Sequence, residues 1–228
     1  CRRVDFRVRE HYNRKSHPKQ FISDAVRALQ LDDRGRLWIG TVEGLLILQP
    51  DTESISPYRF SYDDPSSLGH NSVRSLMRDH QGGMWVGTYH GGLNYYHVLA
   101  PDFRILQHSV CRNSLSDNTI SCIAEDPFNN NLWIGTNDGG LNHYDRRTGH
   151  FTCYSGKENK TNSLRSNNIK CVFPEKSGSV YIGTHNGGMS HLDVKTGRIS
   201  NYDIPGAASL GNSCYSLLDG EDGTLWVG

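Results

Sequence analysis

The sequence predicts an all-β fold, a β-propeller fragment with about four complete four-stranded blades and partial blades at both ends, and three observations predict it. The stretch Leu132-Trp133-Ile134-Gly135-Thr136 recurs as Leu37-Trp38-Ile39-Gly40-Thr41, Met84-Trp85-Val86-Gly87-Thr88 and Val180-Tyr181-Ile182-Gly183-Thr184, and again as Leu225-Trp226-Val227-Gly228. Its aromatic residues stand 47, 48, 48 and 45 positions apart, a period that marks an array of supersecondary units. Between the repeats, short runs of alternating apolar and polar residues are separated by glycine turns, with no helical period of useful length.

The third unit gives the pattern most plainly. Thr119 to Ala124 alternates apolar and small residues as a short strand does, Asp126 to Asn131 supply a turn, and the Trp133 strand follows. Asn137-Asp138-Gly139-Gly140 is a hairpin signal, because glycine and asparagine tolerate positive φ. Leu141 to Asp145 is then a third strand, Arg146 to Gly149 a turn, and Phe151 to Tyr154 a fourth. Four short antiparallel strands per repeat make a propeller blade. The first unit repeats this as Val26 to Leu31, the Trp38 strand, Leu45 to Leu48 and Ile55 to Tyr58. The second runs through Val73 to Arg78, the Trp85 strand, Leu93 to His97 and Phe103 to Leu106; the fourth through Ile169 to Phe173, the Tyr181 strand, Met189 to Asp193 and Ile199 to Tyr202.

At the ends, residues 4–12 read as the outer strand of a preceding blade, so residues 1–20 are expected to be that strand and a linker. Blades are expected at 21–66, 67–113, 114–162 and 163–208, and 209–228, with Tyr215 to Leu218 and the Trp226 strand, as the first half of a further one. A blade covers its faces only against neighbours, so the protein is expected to continue in both directions.

Within the repeat, Trp38, Trp85, Trp133, Tyr181 and Trp226 are assigned to packing, with Leu132 and Ile134 on the opposite side of the blade from Trp133. Gly40, Gly87, Gly135 and Gly183 are expected where another backbone or a ring comes close. A second repeated element precedes each blade: Ser67-Leu68-Gly69-His70-Asn71, Ser114-Leu115-Ser116-Asp117-Asn118 and Ser163-Leu164-Arg165-Ser166-Asn167, with Asp24 and Ser213 at the asparagine position in the first and last units. One reading of these side chains is structural, tying down the turn into the innermost strand.

The other reading is functional and comes from strand counting. In a four-stranded antiparallel blade, the loop into the first strand and the loop joining the second and third lie at one end. Asn71, Asn118 and Asn167 therefore share a face with Tyr89, His90, Asn137, Asp138, His185 and Asn186. These nine residues are the candidate ligand-binding set, because loops that vary on a constant scaffold are where binding concentrates. Amides, histidines and a tyrosine suit the hydroxyls and apolar ring faces of sugars, whereas a small anion would want more positive charge. The opposite face reads as plain hairpin turns.

Composition narrows the alternatives. Lys and Arg number 24 and Asp and Glu 24, for a formal net charge of zero, which removes the electrostatic footprint of a nucleic-acid binder. The basic run Arg2, Arg3, Arg7, Arg9, Arg14, Lys15 and Lys19 reads as a solvated edge. No stretch approaches the ~18 apolar residues of a membrane span. The six cysteines, Cys1, Cys111, Cys122, Cys153, Cys171 and Cys214, contain no C-x-x-C pair. Cys122 and Cys171 occupy the place of Ser75 and read as small buried thiols rather than disulfide or metal residues. No H-E-x-x-H spacing, phosphate loop or G-x-S-x-G elbow is present, and Asp138, Glu43 and Asp126 do not stand out from turn residues. No catalytic residue, metal or cofactor is expected.

The joint pattern of S-L-x-x-N before the blade, a turn acid at Asp79 or Asp126, L-W-I-G-T, and then x-x-G-G-L-N-x-Y resembles the two-component regulator propeller repeat over roughly residues 21–228. Tyr181, Ser213 and the single glycine of Glu43-Gly44-Leu45 depart from it mildly. The resemblance implies the periplasmic sensor region of a hybrid two-component histidine kinase of gut Bacteroidetes, with seven-bladed propellers, a juxtamembrane β-sandwich module, a dimeric kinase core and a DNA-binding output. Such sensors detect oligosaccharides and switch on polysaccharide-utilisation genes; related propellers also precede diguanylate cyclases. The implied partners are an oligosaccharide, the remaining blades and β-sandwich of the same chain, and a second copy in a homodimer. The alternatives are a structural propeller serving as a dimerisation or protein-docking platform and, more remotely, a propeller lyase or glycosidase.

Overall fold

A computed structural model of the chain describes residues 12–13, 15, 20–49, 51–97, 99–110, 113–156, 162–204, 212–220 and 224–228. The expected leading strand at 4–12 (apart from Tyr12), Cys1, Cys111, and every member of the N-terminal basic run except Lys15 lie outside the described residues. Among the described residues, eighteen strands form four four-stranded antiparallel sheets and a two-stranded pair. The first sheet is β1 (Val26–Leu31), β2 (Leu37–Thr41), β3 (Leu45–Gln49) and β4 (Ser54–Tyr58); the second is β5 (Val73–Arg78), β6 (Met84–Thr88), β7 (Leu93–His97) and β8 (Ala100–Leu106). The third is β9 (Ile120–Glu125), β10 (Leu132–Thr136), β11 (Leu141–Asp145) and β12 (His150–Tyr154); the fourth is β13 (Ile169–Pro174), β14 (Ser179–Thr184), β15 (Met189–Asp193) and β16 (Arg198–Tyr202). The pair is β17 (Leu217–Asp219) and β18 (Leu225–Val227).

In every sheet the strands lie in sequence order, and β1, β5, β9, β13 and β17 pack against one another in turn. This is the radial arrangement of a propeller, in which each blade presents its first strand to the axis. The alternation in the L-W-I-G-T strand assigns its two faces to two different neighbours. Trp133 packs with Ile169, Val180, Ile182 and Leu192 of the fourth blade, whereas Leu132 and Ile134 pack with Trp85, Leu93 and Ile120. Trp38 likewise faces Val73, Met84 and Val86 of the second blade. A period-2 strand covered on both sides builds a continuous core from units that have none alone.

The repeated glycines are required by approach rather than by φ. A Cβ on Gly40 would lie 2.6 Å from Val73 Cγ1, one on Gly87 2.7 Å from Ile120 Cγ2, one on Gly135 2.7 Å from Ile169 Cγ2 and one on Gly183 2.6 Å from Cys214 Sγ. At Gly40, Gly87 and Gly135 the expected close neighbour, a backbone or a ring, is corrected to the first side chain of the next blade's innermost strand, whereas a Cβ on Gly183 would also lie 2.8 Å from the backbone carbonyl of Cys214. The same glycines accommodate Ser75, Cys122 and Cys171 from their own blade, which explains the small residues at that position. Burial pushes the Cys122 thiol up to about 12, so it remains protonated and inert at neutral pH. Trp226, assigned to packing by its repeat position, is 66% exposed on β18.

Candidate functional site

Two sets of hydrogen bonds recur with the repeat and hold the loops in place. At one end of the blades, the bottom face, the turn acid receives the tryptophan: Trp38 Nε1 donates to Asp32 Oδ2 (3.0 Å), Trp85 Nε1 to Asp79 Oδ2 (3.0 Å) and Trp133 Nε1 to Asp126 Oδ2 (3.2 Å). The other oxygen of each acid accepts backbone N–H groups of its own turn, as Gln81 and Gly83 donate to Asp79 Oδ1. Asp126 is thereby accounted for as a structural residue.

At the other end, the top face, an asparagine clasps successive blades together. Asn71 Oδ1 accepts the Phe60 N–H (2.8 Å), Asn118 Oδ1 that of His108 (2.7 Å) and Asn167 Oδ1 that of Gly156 (2.6 Å). Each donor lies just past the outer strand of the preceding blade. The clasp is completed by the main chain, with Gly92 N donating to Asn118 O and Gly140 N to Asn167 O. These side chains thus anchor the exit of the previous blade rather than only their own turn. In the last unit Asn212 performs both parts, accepting Ile204 N–H at 3.0 Å and Gly188 N–H at 2.7 Å. The expected equivalence of Ser213 is corrected: the segment leading into the pair is one residue shorter, and Cys214 takes the place of Ile169.

The β2–β3-type loops project from the same face. His90 is held at φ +71 and Asn186 at φ +61, a left-handed conformation uncommon for residues other than glycine and worth a functional reading. The His90 ring lies 3.9 Å from that of Tyr89, and its Nδ1 is 3.4 Å from Thr119 Oγ1 of the next blade. Asn137 Oδ1 accepts from Lys170 Nζ at 3.4 Å, and Asn137 Nδ2 donates to Asp138 Oδ2 at 3.4 Å. His185 Nδ1 meets Tyr215 Oη at 3.0 Å, and Asn186 N donates to Ser213 Oγ at 2.9 Å. The nine candidate residues therefore share one face, with the three asparagines at the clasps and His90, Asn137, His185 and Asn186 linked across blade boundaries.

Sequence reasoning missed several residues of this face. Arg74, whose guanidinium lies 4.5 Å over the Tyr89 ring, Lys170 and Tyr215 all come from innermost strands that read as simple alternating runs. It also missed the buried carboxamides beneath the loops: Asn94 Oδ1 accepts from Gly69 N at 2.7 Å and Asn142 Oδ1 from Ser116 N at 3.0 Å. Their recurrence in G-G-L-N was the available signal. Among the described residues no group of three or more His, Cys, Asp or Glu converges as a metal would require.

The bottom face is more than plain hairpins, which corrects the expectation. A cavity of about 250 Å³ lies between the first and second blades, lined by Arg36, Trp38, Gln81, Tyr96 and His97. Another of about 430 Å³ lies between the third and fourth, lined by Phe128, Pro174, Val180 and Val194. Beside it, His143 stacks 4.3 Å from Trp133, with a buried Nε2 that is 4.0 Å from Asp126 Oδ2 and makes no hydrogen bond.

Burial drives His143 below its ordinary value of 6.5, against the opposing charges of Asp126 and Asp145. The unfolded chain therefore takes up a proton near pH 6.5 that the folded chain refuses, and stability falls as pH drops below that value. The urea midpoint is expected to be level above pH 7.5 and to decline from pH 7 to 5.5. His143→Phe should flatten that decline; an unchanged decline would remove His143 from the account.

Fold and site together define a class: an all-β propeller whose blades are stapled by Asp–Trp and asparagine bonds and whose top face carries polar loops. Three segments, residues 20–43, 67–90 and 114–138, match the family described as two component regulator propeller. It is similar to the extracellular domain of the putative hybrid two component system BT3049 from B. thetaiotaomicron, at 24% identity and a TM-score of 0.80 over 92% of this chain and 28% of that one. It is also similar to PorZ, a surface component of the type-IX secretion system of Porphyromonas gingivalis (18% identity, TM-score 0.66, 89% of this chain and 30% of that one). Virginiamycin B lyase from Staphylococcus aureus shares the fold at 17% identity and a TM-score of 0.64, over 89% of this chain and 62% of the lyase. Identities below 25% establish the shared fold, and the chain spans under a third of the first two proteins. No curated protein matches it in sequence.

Proposed function

We propose that the chain is a non-catalytic, ligand-sensing propeller segment of the periplasmic part of a hybrid two-component sensor kinase, and that it detects oligosaccharides to regulate polysaccharide-utilisation genes. The observation that carries this reading is the top face, where Tyr89, His90, Asn137, His185 and Asn186 stand on loops bonded across blade boundaries. Interblade bonds give a ligand on those loops a route to bias blade packing, and only such differential binding shifts a conformational equilibrium. The repeats and the similarity to a Bacteroides hybrid-system ectodomain support the extracytoplasmic setting.

The test is a thermal-shift screen of plant, host and microbial oligosaccharides, in which a binder raises the midpoint as RT ln(1 + [L]/Kd) requires. His90→Ala and Asn137→Ala are expected to abolish most of that rise while leaving the unliganded midpoint within about 2 °C, since each is a loop change of small cost. A rise that survives both substitutions would exclude these loops as the site. The bottom-face cavity beside exposed Phe128 favours a second reading, a protein-docking platform; it predicts a flat response to every sugar and loss of self-association on Phe128→Asp.

A further inference from the structure

Each of the first four innermost strands carries a β-bulge at the same level. The register steps from Val26 to Ala28 in β1, from Val73 to Ser75 in β5, from Ile120 to Cys122 in β9 and from Ile169 to Cys171 in β13. The residues passed over are Arg27, Arg74, Ser121 and Lys170. A bulged residue has no cross-strand partner, and the bend re-aims its side chain. Because these four strands pack side by side around the axis, the bulges bring three cationic side chains and a hydroxyl to one level below the top-face loops.

The charges there are poorly answered. Arg74 lies over the Tyr89 ring, and its Nε is buried without a hydrogen-bond partner. Lys170 Nζ has a long 3.4 Å contact with the neutral carboxamide of Asn137. Burial and then the Arg74 charge lower the Lys170 pKa, with Asp138 opposing. Among the described residues, Arg27, Arg74 and Lys170 form no salt bridge. Arg146 on the bottom face provides the contrast: its guanidinium meets Asp79, Glu125 and Gln81. A partly buried donor left unpaired is costly, and a guanidinium beside an ammonium matches a carboxylate or sulfate.

We propose that this ring of bulges seats the carboxylate or sulfate group of an acidic oligosaccharide, with Arg74 and Lys170 as its two cationic partners and Tyr89 and Tyr215 flanking the sugar rings. The assignment rests on the saccharide-sensing reading and narrows it to uronate-bearing or sulfated chains. Ser121 leaves room between the two cations, and Arg27 extends the positive edge toward the first blade.

The test is calorimetric titration of the chain with tetragalacturonate, a sulfated chondroitin tetrasaccharide, neutral galactotetraose and sodium sulfate. Binding of at least one acidic tetrasaccharide is expected, weakened about tenfold or more by Arg74→Gln and by Lys170→Gln and severalfold by raising NaCl from about 50 to 500 mM. The preferred acid shows whether carboxylate or sulfate is seated. Ser121→Glu, which supplies a carboxylate from within, should also suppress binding, and thermal midpoints near that of the parent show that the variants remain folded. Neutral and acidic sugars binding alike, unaffected by these substitutions, would overturn the anion seat while leaving saccharide sensing intact. Sulfate binding lost in the variants, without binding of any tetrasaccharide, would support the seat's anion chemistry and overturn the saccharide assignment. No binding of any probe would overturn both.

Discussion

Trp133→Ala is expected to lower the unfolding free energy by about 3–5 kcal/mol, the range for emptying a tryptophan-sized space in a core. The side chain is 0% exposed and packs against the fourth blade's Ile169, Val180, Ile182 and Leu192. Its removal also leaves Asp126 Oδ2 without the indole N–H. Trp133→Phe separates the two losses, since it keeps most of the ring but leaves Asp126 Oδ2 without its donor while Oδ1 keeps the Phe128 N–H, and about 1–3 kcal/mol is expected. Trp226→Ala, at the same repeat position but 66% exposed, should cost within about 0.5 kcal/mol. Urea unfolding curves of the three variants check this, and equal losses at Trp133 and Trp226 would refute the packing assignment. Hydrogen exchange should rise first in β10, β13 and β14, because repeat arrays lose stability through the interface between neighbours.

Arg146→Ala is expected to cost about 3 kcal/mol, at the lower end of the range for breaking a buried ion pair. Arg146 Nη2 lies 2.8 Å from Asp79 Oδ2, with side-chain exposures of 17% and 0% respectively. The guanidinium also reaches Glu125 at 3.4 Å and stacks 5.3 Å from Trp85, joining the third blade to the second. The loss stays at the lower end because Asp79 keeps the N–H groups of Gln81, Gly83 and Trp85. Arg146→Lys should recover only part of it, since an ammonium cannot serve two acceptors and a ring with one planar fork. Arg165→Ala is the control: its pair with Asp203 is 43% and 72% exposed, and exposed pairs contribute about 0–1 kcal/mol. A cost for Arg146→Ala no larger than for Arg165→Ala would show that the interblade pair is not held as described.

Both predictions concern contacts between repeats, and that is where the sequence was least informative. The strands of the third blade are legible from alternation alone, and β9 and β12 differ from the reading by one residue at their ends. At β8 the sequence marks a strand only from Phe103, whereas the strand begins at Ala100, because Pro101 and Asp102 are poor strand signals and only the pairing of Ala100 with His97, beyond a register irregularity, extends the strand past them. The top-face grouping of His90, Asn137 and His185 followed from strand counting, since antiparallel connectivity fixes which loops share an end. The clasp partners of Asn118 and Asn167 did not, because a hydrogen bond to the previous blade's exit has no local pattern.

The sequence by itself determined the blade: its period, its four strands, its turns and the division of Trp133 from Leu132 and Ile134 onto opposite faces. Those features depend on residues close in the chain and on the strict period of two along a strand. Only the tertiary structure decided which neighbour each face meets, why Gly135 and Gly183 must lack a Cβ, that Asn212 rather than Ser213 closes the last clasp, and that Arg74 and Lys170 approach one level of the axis. A bulge shifts register by a single residue, and a radial array brings together side chains about 48 positions apart per blade; neither leaves a mark in local alternation, because both are settled by how one blade packs against the next.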